Sequence, residues 1–266
     1  MESAKSVSVS EFLSVSINLA EQCGKVIRSV YDSGDLSTKL KDGGDGPVTV
    51  ADFQVQKTIE TNLKTLFPEI QIRGEEEKAL TDKYESAFGA ETLSKTILSQ
   101  DFLNKSQASR KEFLGLLKKT SYPNEDEFEV EANFENFKLE DATVWVDPLD
   151  GTSDFVKNNL PAVTVLIGVS IKNVSRIGIV HNPFSLADQT QGVTYFGTIE
   201  HGVFHMSFDP KTNVRGEPVY IEPFDHVGVP AEDHKVAVAA SISHFSDEMK
   251  QSNFQFYFSY ANACSY

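Results

Sequence analysis

Three groups of carboxylates stand at the ends of expected elements rather than along a helix face, a placement that suits metal chemistry. Asp52 opens a helical run, Glu75 and Glu76 follow a short alternating stretch, and Asp147 and Asp150 flank a proline in Asp147-Pro148-Leu149-Asp150-Gly151-Thr152. A hard divalent cation such as Mg²⁺ takes oxygen ligands in octahedral array, and carboxylates delivered from separate elements can converge where one alone would bind weakly. Pro148 holds its own φ, so Asp147, Asp150 and the carbonyl of Leu149 can face a common centre. Gly151 permits close approach, and the Thr152 hydroxyl can orient a water for attack. Each group also has a plain structural reading. Asp52 fits a first-turn capping carboxylate, Glu75 to Glu77 a solvated turn, and Asp-Pro-x-Asp-Gly-Thr a tight turn. Their joint occurrence in one chain gives the chemical reading its weight.

The elements that must position these groups follow from the apolar spacing. Phe12, Leu13, Ile17, Leu19, Ala20, Cys23, Val26, Ile27 and Val30 recur at helical intervals, with Ser10 as the expected cap and Gly34 just past the end. Lys39 to Pro47, rich in glycine, reads as a mobile loop. A second helix is expected from Ala51 to Phe67, with Val55, Ile59, Leu63 and Leu66 on one stripe and Pro68 as its stop. Glu69-Ile70-Gln71-Ile72-Arg73 alternates as a short strand. Leu93 to Leu103 and Lys111 to Lys119 read as helices, and the acidic run from Pro123 to Glu140 as a solvated surface loop. Thr143 to Val146, Ala162 to Ser170, Arg176 to Val180, Val193 to Ile199 and Gly202 to Ser207 read as strands. Their short connections favour antiparallel pairing. Lys235 to Ala240 is a further expected strand.

Composition narrows the partners. With 24 Lys and Arg against 39 Asp and Glu, the 266-residue chain carries a net charge of −15, which argues against a nucleic-acid polymer or an anionic membrane as ligand. A small phosphorylated substrate still fits if a divalent cation stands between it and the carboxylates. Hydrophobic residues make up 40% and charged residues 24%, values of a globular chain rather than a disordered one. Two cysteines without ligand spacing, no signal-peptide core after Met1, and no apolar run long enough to span a bilayer lead us to expect a soluble, cytoplasmic protein. The oligomeric state is not legible.

Three segments carry a family resemblance. Val48-Thr49-Val50-Ala51-Asp52, Gly74-Glu75-Glu76 and Trp145-Val146-Asp147-Pro148-Leu149-Asp150-Gly151-Thr152 resemble, in order and spacing, the signature of the lithium-sensitive, Mg²⁺-dependent phosphomonoesterases of the inositol monophosphatase superfamily. The resemblance runs from about residue 10 to about residue 248. Val163 to Gly168, Ile177-Gly178-Ile179-Val180-His181-Asn182-Pro183 and the interval from Glu75 to Asp147 are most similar to the 3′(2′),5′-bisphosphate nucleotidases, as is Ser243-His244-Phe245-Ser246.

The resemblance implies an α/β fold of the layered α-β-α-β-α sugar-phosphatase type, with helices beside a mainly antiparallel sheet. It implies a metal-binding α+β domain over residues 1–228 and an incomplete, shortened C-terminal α/β portion over 229–266. It implies two or three Mg²⁺ ions held by Glu75, Asp147, Asp150 and the Leu149 carbonyl, with Glu76 behind them. Asp52 would contact metal or water near the phosphate, Thr152 would position the nucleophilic water, and Gly151, Thr152 and His244 would contact substrate. The implied activity is hydrolysis of the 3′-phosphate of adenosine 3′,5′-bisphosphate, inhibited by lithium. Family members continue into a Trp-Asp segment that supplies a further metal ligand and into a Gly-rich stretch. Here the single tryptophan is Trp145, and Asn253 to Tyr260, read as one strand, matches neither. An inositol phosphate phosphatase, or an impaired truncated homologue that binds without turnover, therefore stands as an alternative.

Overall fold

Ser8-Val9-Ser10-Glu11 starts the first helix, α1, Val9–Ser33: the Ser8 side chain accepts from the Glu11 N–H at 3.2 Å. The cap is thus Ser8 and not Ser10, which is buried in the first turn. The Ser-x-x-Glu spacing, a known helix-start signature, marks the right serine. Gly34 closes the helix at φ 72°, as the sequence suggests. The second helix, α2, spans Val50–Leu66, within a residue of expectation at each end.

The computed structural model describes residues 6–40, 46–76, 115, 136–185, 189–199 and 201–221. These lie in one compact unit that ends at Ile221. The expected helix at Leu93–Leu103, all of Lys111–Lys119 but Gly115, the acidic run as far as residue 135, the strands at Lys235–Ala240 and Asn253–Tyr260 and the 228/229 boundary fall outside the described residues. The end of the acidic run, expected as a solvated loop, is instead a strand, Asn136–Lys138, and a short turn, with Phe137 and Leu139 buried against the core.

The strands are β1 (Ser6–Ser8), β2 (Lys39–Leu40), β3 (Pro47–Val48), β4 (Gln71–Gly74), β5 (Asn136–Lys138), β6 (Ala142–Asp150), β7 (Thr164–Ile171), β8 (Val174–Asn182), β9 (Gly192–Thr198), β10 (Gly202–Asp209), β11 (Val214–Arg215) and β12 (Val219–Ile221). The ends of the expected loop at 39–47 pair with each other as β2 and β3. β1 pairs with β5. The rest form one eight-stranded sheet in the order β11-β10-β9-β8-β7-β6-β4, with β12 also on β10. From β6 to β12 every pairing is antiparallel, as expected, whereas β4 runs parallel to β6. Parallel pairing needs a long connection, and the interval after Glu76 supplies it.

β7 shows a clean alternation, with Val165, Ile167, Val169 and Ile171 buried on one face. That face joins Phe12, Leu13, Ile17 and Ile27 of α1 and Val55, Ile59 and Leu63 of α2 in a single core. Burying each such side chain contributes about 1.5–3 kcal/mol. Cys23 lies in this core, and burial drives its thiol far above the ordinary range, so it cannot serve as a thiolate nucleophile.

One titratable group inside this packing makes stability pH-dependent. His181 on β8 is buried, with Nδ1 2.9 Å from Thr194 Oγ1. Burial first, and the charges of Arg28 and Arg215 second, hold its pKa down to about 3. The unfolded chain takes up this proton below about pH 6.5 while the folded chain refuses it, so stability falls as pH drops from 6.5 toward 3, by up to about 1.4 kcal/mol per pH unit. Denaturant midpoints between pH 7.5 and 4.5 should therefore fall more steeply for the natural chain than for His181→Gln; parallel curves would refute the assignment.

Candidate active site

At the start of α2 the two carboxylate oxygens of Asp52 make different contacts. Oδ2 accepts from the Thr49 N–H at 2.8 Å and from the Thr49 hydroxyl at 2.7 Å, which fastens the helix start. Oδ1 instead accepts from the hydroxyl of Thr152, 100 residues further on, at 3.1 Å. Asp52 is wholly buried, and that burial pushes its carboxyl up to about 7. The bonds from Thr49 and Thr152 hold the rise back, and the charge of Glu76 adds to it. Thr152 Oγ1 also stands 2.9 Å from the Leu149 carbonyl. A hydroxyl has one proton for two such acceptors, so its lone pairs remain to accept from a water.

β6 delivers the other carboxylates, in a way the sequence did not suggest. Asp147-Pro148-Leu149-Asp150, expected as a turn, continues the strand, and its pairing with β7 breaks between Asp147 and Asp150. Proline cannot donate to a sheet ladder, and an irregularity is where a sheet accommodates it. The break lets Asp147 Oδ1 accept from the Leu149 N–H at 3.2 Å and brings Asp150 Oδ2 to 3.5 Å from Thr164 Oγ1. Gly151 then turns the chain at φ 82° into α3, Thr152–Val156. A Cβ there would lie 2.9 Å from the Ala162 carbonyl oxygen, so both backbone angle and space call for glycine.

Glu75 comes alongside from β4, its N–H donating to the Val146 carbonyl at 2.9 Å. Its carboxyl hydrogen-bonds Asp147. Burial, then the charge of Glu75 and this bond, then the charge of Asp150 push Asp147 up to about 8. Glu76, next in the chain, is buried rather than part of a solvated turn. Asp52, Glu75, Glu76, Asp147, Leu149, Asp150, Gly151 and Thr152 are therefore neighbours, linked directly or through one another. His244 lies outside the described residues. Two contributors escaped the sequence reading: Thr49, whose Thr-x-x-Asp spacing is a cap signal, and Gln56, one turn beyond Asp52, which carries no signal of its own.

The donors present fit a hard divalent cation. They are oxygens only, and the charges of Glu75 and Asp150, which add to the effect of burial in raising Asp147, are what a cation would offset. Among the described residues no three acidic, imidazole or thiol groups close around one point. The set is a converging pair, Glu75 and Asp147, with Asp150 as a charged neighbour.

A family model described as the inositol monophosphatase family matches residues 8–264. The chain is 26% identical to 3′(2′),5′-bisphosphate nucleotidase 1 of Dictyostelium discoideum over 256 residues, 93% of this chain and 68% of that protein. It is 28% identical to the Rattus norvegicus protein of the same name, over 70% of this chain and 53% of that one. It is 26% identical to inositol monophosphatase 3 of Danio rerio, over 74% and 48%. The chain thus spans about half to two thirds of the length of these relatives. The crystal structure of the extragenic suppressor protein suhB from Bartonella henselae superposes with a TM-score of 0.43 at 18% identity, covering 72% of this chain and 50% of that one. Among the described residues no helix is long and apolar enough to cross a membrane.

Proposed function

This chain belongs to the inositol monophosphatase family, and from that premise we propose that it is a Mg²⁺-dependent phosphomonoesterase that removes the 3′-phosphate of adenosine 3′,5′-bisphosphate. The observation that carries the reading is the buried Asp52 Oδ1 accepting from the Thr152 hydroxyl. A threonine that donates to a carboxylate keeps its lone pairs for a water, and so fixes where that water's own lone pair points. As the water attacks phosphorus and the bond from phosphorus to the 3′ oxygen breaks, the water's proton passes to Thr152 Oγ1, the threonine proton passes to Asp52 Oδ1, and the leaving 3′ oxygen takes a proton from solvent. Burial raises the Asp52 carboxyl, which makes it a better proton acceptor than an exposed aspartate.

Glu75, Asp147, Asp150 and the Leu149 carbonyl are the residues that would hold Mg²⁺, with two or three ions implied by the family and Glu76 placed behind them. When bound, the metal supplies charge neutralisation at the phosphoryl and leaving oxygens and a more acidic water. Gly151 and Thr152 would contact the phosphate, and His244 the nucleotide. Names of the relatives from Dictyostelium discoideum and Rattus norvegicus support the nucleotide substrate. Similarity to inositol monophosphatase 3 supports a second reading as an inositol phosphate phosphatase.

Phosphate release from adenosine 3′,5′-bisphosphate, followed over a Mg²⁺ titration with Asp150→Asn beside the natural chain, tests the proposal. We expect saturable Mg²⁺ dependence and a loss of at least about 100-fold in the variant. Faster turnover of inositol 1,4-bisphosphate would favour the second reading. A folded chain that binds nucleotide and turns over neither substrate would replace both with a binding role.

A further inference from the structure

We propose that Gln56 is a positioning residue that, through a gap left by Gly74, sets the carboxylate of Glu75 against Asp147. This rests on the reading of Glu75 and Asp147 as holders of a divalent metal.

Gln56 is buried on α2, four residues after Asp52 and so on the same helix face. Its side-chain amide pairs with a backbone as a neighbouring strand would. Nε2 donates to the Glu76 carbonyl at 2.8 Å, and Oε1 accepts from the Glu76 N–H at 3.0 Å. The second Nε2 proton goes to Glu60 Oε1 at 3.0 Å. A backbone N–H can only donate and a carbonyl can only accept, so the partners dictate which way the amide points. The strand end is thus held from both sides of Glu75. Upstream the Glu75 N–H is tied to the Val146 carbonyl of β6, and downstream both backbone groups of Glu76 are tied to α2. These two anchors fix the backbone from which the exposed Glu75 side chain reaches Asp147.

Gly74 completes the device. A Cβ at this position would overlap the Gln56 amide group, so any larger residue there would expel the amide from Glu76. The glycine of Gly74-Glu75-Glu76 is needed here for space: its φ is not among the positive ones. A single helix face therefore aligns both halves of the site, Asp52 toward Thr152 and Gln56 toward the strand bearing Glu75.

The test uses the full 266-residue chain and Mn²⁺ as probe, with binding read by electron paramagnetic resonance without substrate and turnover read separately at saturating metal. Gln56→Met keeps the volume and removes both bonds to Glu76. We expect its Mn²⁺ dissociation constant to rise about 10- to 100-fold, as is usual when the groups orienting a ligand are lost, with turnover at saturating metal within a few-fold of the natural chain. Gly74→Ala should reproduce the defect, and adding it to Gln56→Ala should cost little more, since both act through one contact. Gln56→Ala, which removes the same bonds without adding a charge beside Glu60, serves if the methionine variant does not fold; it should show the same rise. A residue needed only for folding would lower the melting temperature and leave the constant unchanged. An unchanged constant in the folded variants, or full additivity with Gly74→Ala, overturns the proposal. Asp147→Asn separates this from failure of the underlying reading: a natural chain that binds no Mn²⁺, or binds it as well with Asp147→Asn, overturns the metal site and this proposal together.

Discussion

Asp52→Asn should lower phosphate release about 100- to 10,000-fold, the range usual for a positioned proton acceptor, with no loss of folded structure. An asparagine oxygen can still accept from the Thr49 N–H and hydroxyl, so the start of α2 survives. Its NH₂ group then replaces Oδ1 opposite Thr152, which reverses the hydrogen bond. The hydroxyl must accept from the amide and turn its proton to the Leu149 carbonyl, 2.9 Å away. It no longer has a carboxylate to receive that proton when a water attacks. The fold itself has reason to tolerate the change, because a wholly buried carboxylate is already destabilised in its charged form, as its rise to about 7 records. Turnover at saturating Mg²⁺ and a thermal melt, read together, check the prediction. Turnover within a few-fold of the natural chain would remove Asp52 from the chemistry, and a collapsed melt would make it a capping residue alone.

Arg215→Met should be the most destabilising single change among the described ion pairs. The Arg215 guanidinium binds Glu21 in a fork, Nε to Oε1 and an Nη to Oε2, both at 2.7 Å, and also reaches Asn18 Oδ1. Glu21 is wholly buried in the middle of α1, and Arg215 lies on β11 at the sheet edge, so the pair fastens that edge to the helix. Taking away the guanidinium leaves a buried carboxylate without its counter-charge, at a cost of about 3–5 kcal/mol. In a domain of this size that lowers the melting temperature by roughly 2–4 °C per kcal/mol. Glu21→Leu combined with Arg215→Met should recover most of the loss, because two well-packed apolar side chains often match a buried ion pair. A single variant that melts within about 2 °C of the natural chain, on the same scale, would show the pair to be solvated and the edge held by other contacts.

Apolar spacing was enough to place α1, α2 and the strands from β6 to β10, because one-faced burial imposes periods that no other structure satisfies. Local chemistry also made the carboxylates of Asp52, Glu75, Asp147 and Asp150 recognisable, since each sits beside a cap, a strand end or a proline. Other features depended on partners far away in the chain. Ser8 against Ser10 was decidable from the Ser-x-x-Glu spacing, but the extension of β6 through Pro148 rests on how β7 breaks register against it. The parallel seat of β4 on β6, the link between Asp52 and Thr152, the clamp of Gln56 on Glu76 and the fork between Glu21 and Arg215 join residues between 20 and 194 positions apart. Hydrophobic period is a property of one segment and can be read from it. The pairing of two buried polar groups is chosen only when the core closes and each must find a partner or bear the full cost of leaving water. Sequence alone therefore marked the carboxylates proposed for the chemistry, and the tertiary structure decided which oxygen of Asp52 faces Thr152 and that Gln56 pairs with the backbone of Glu76.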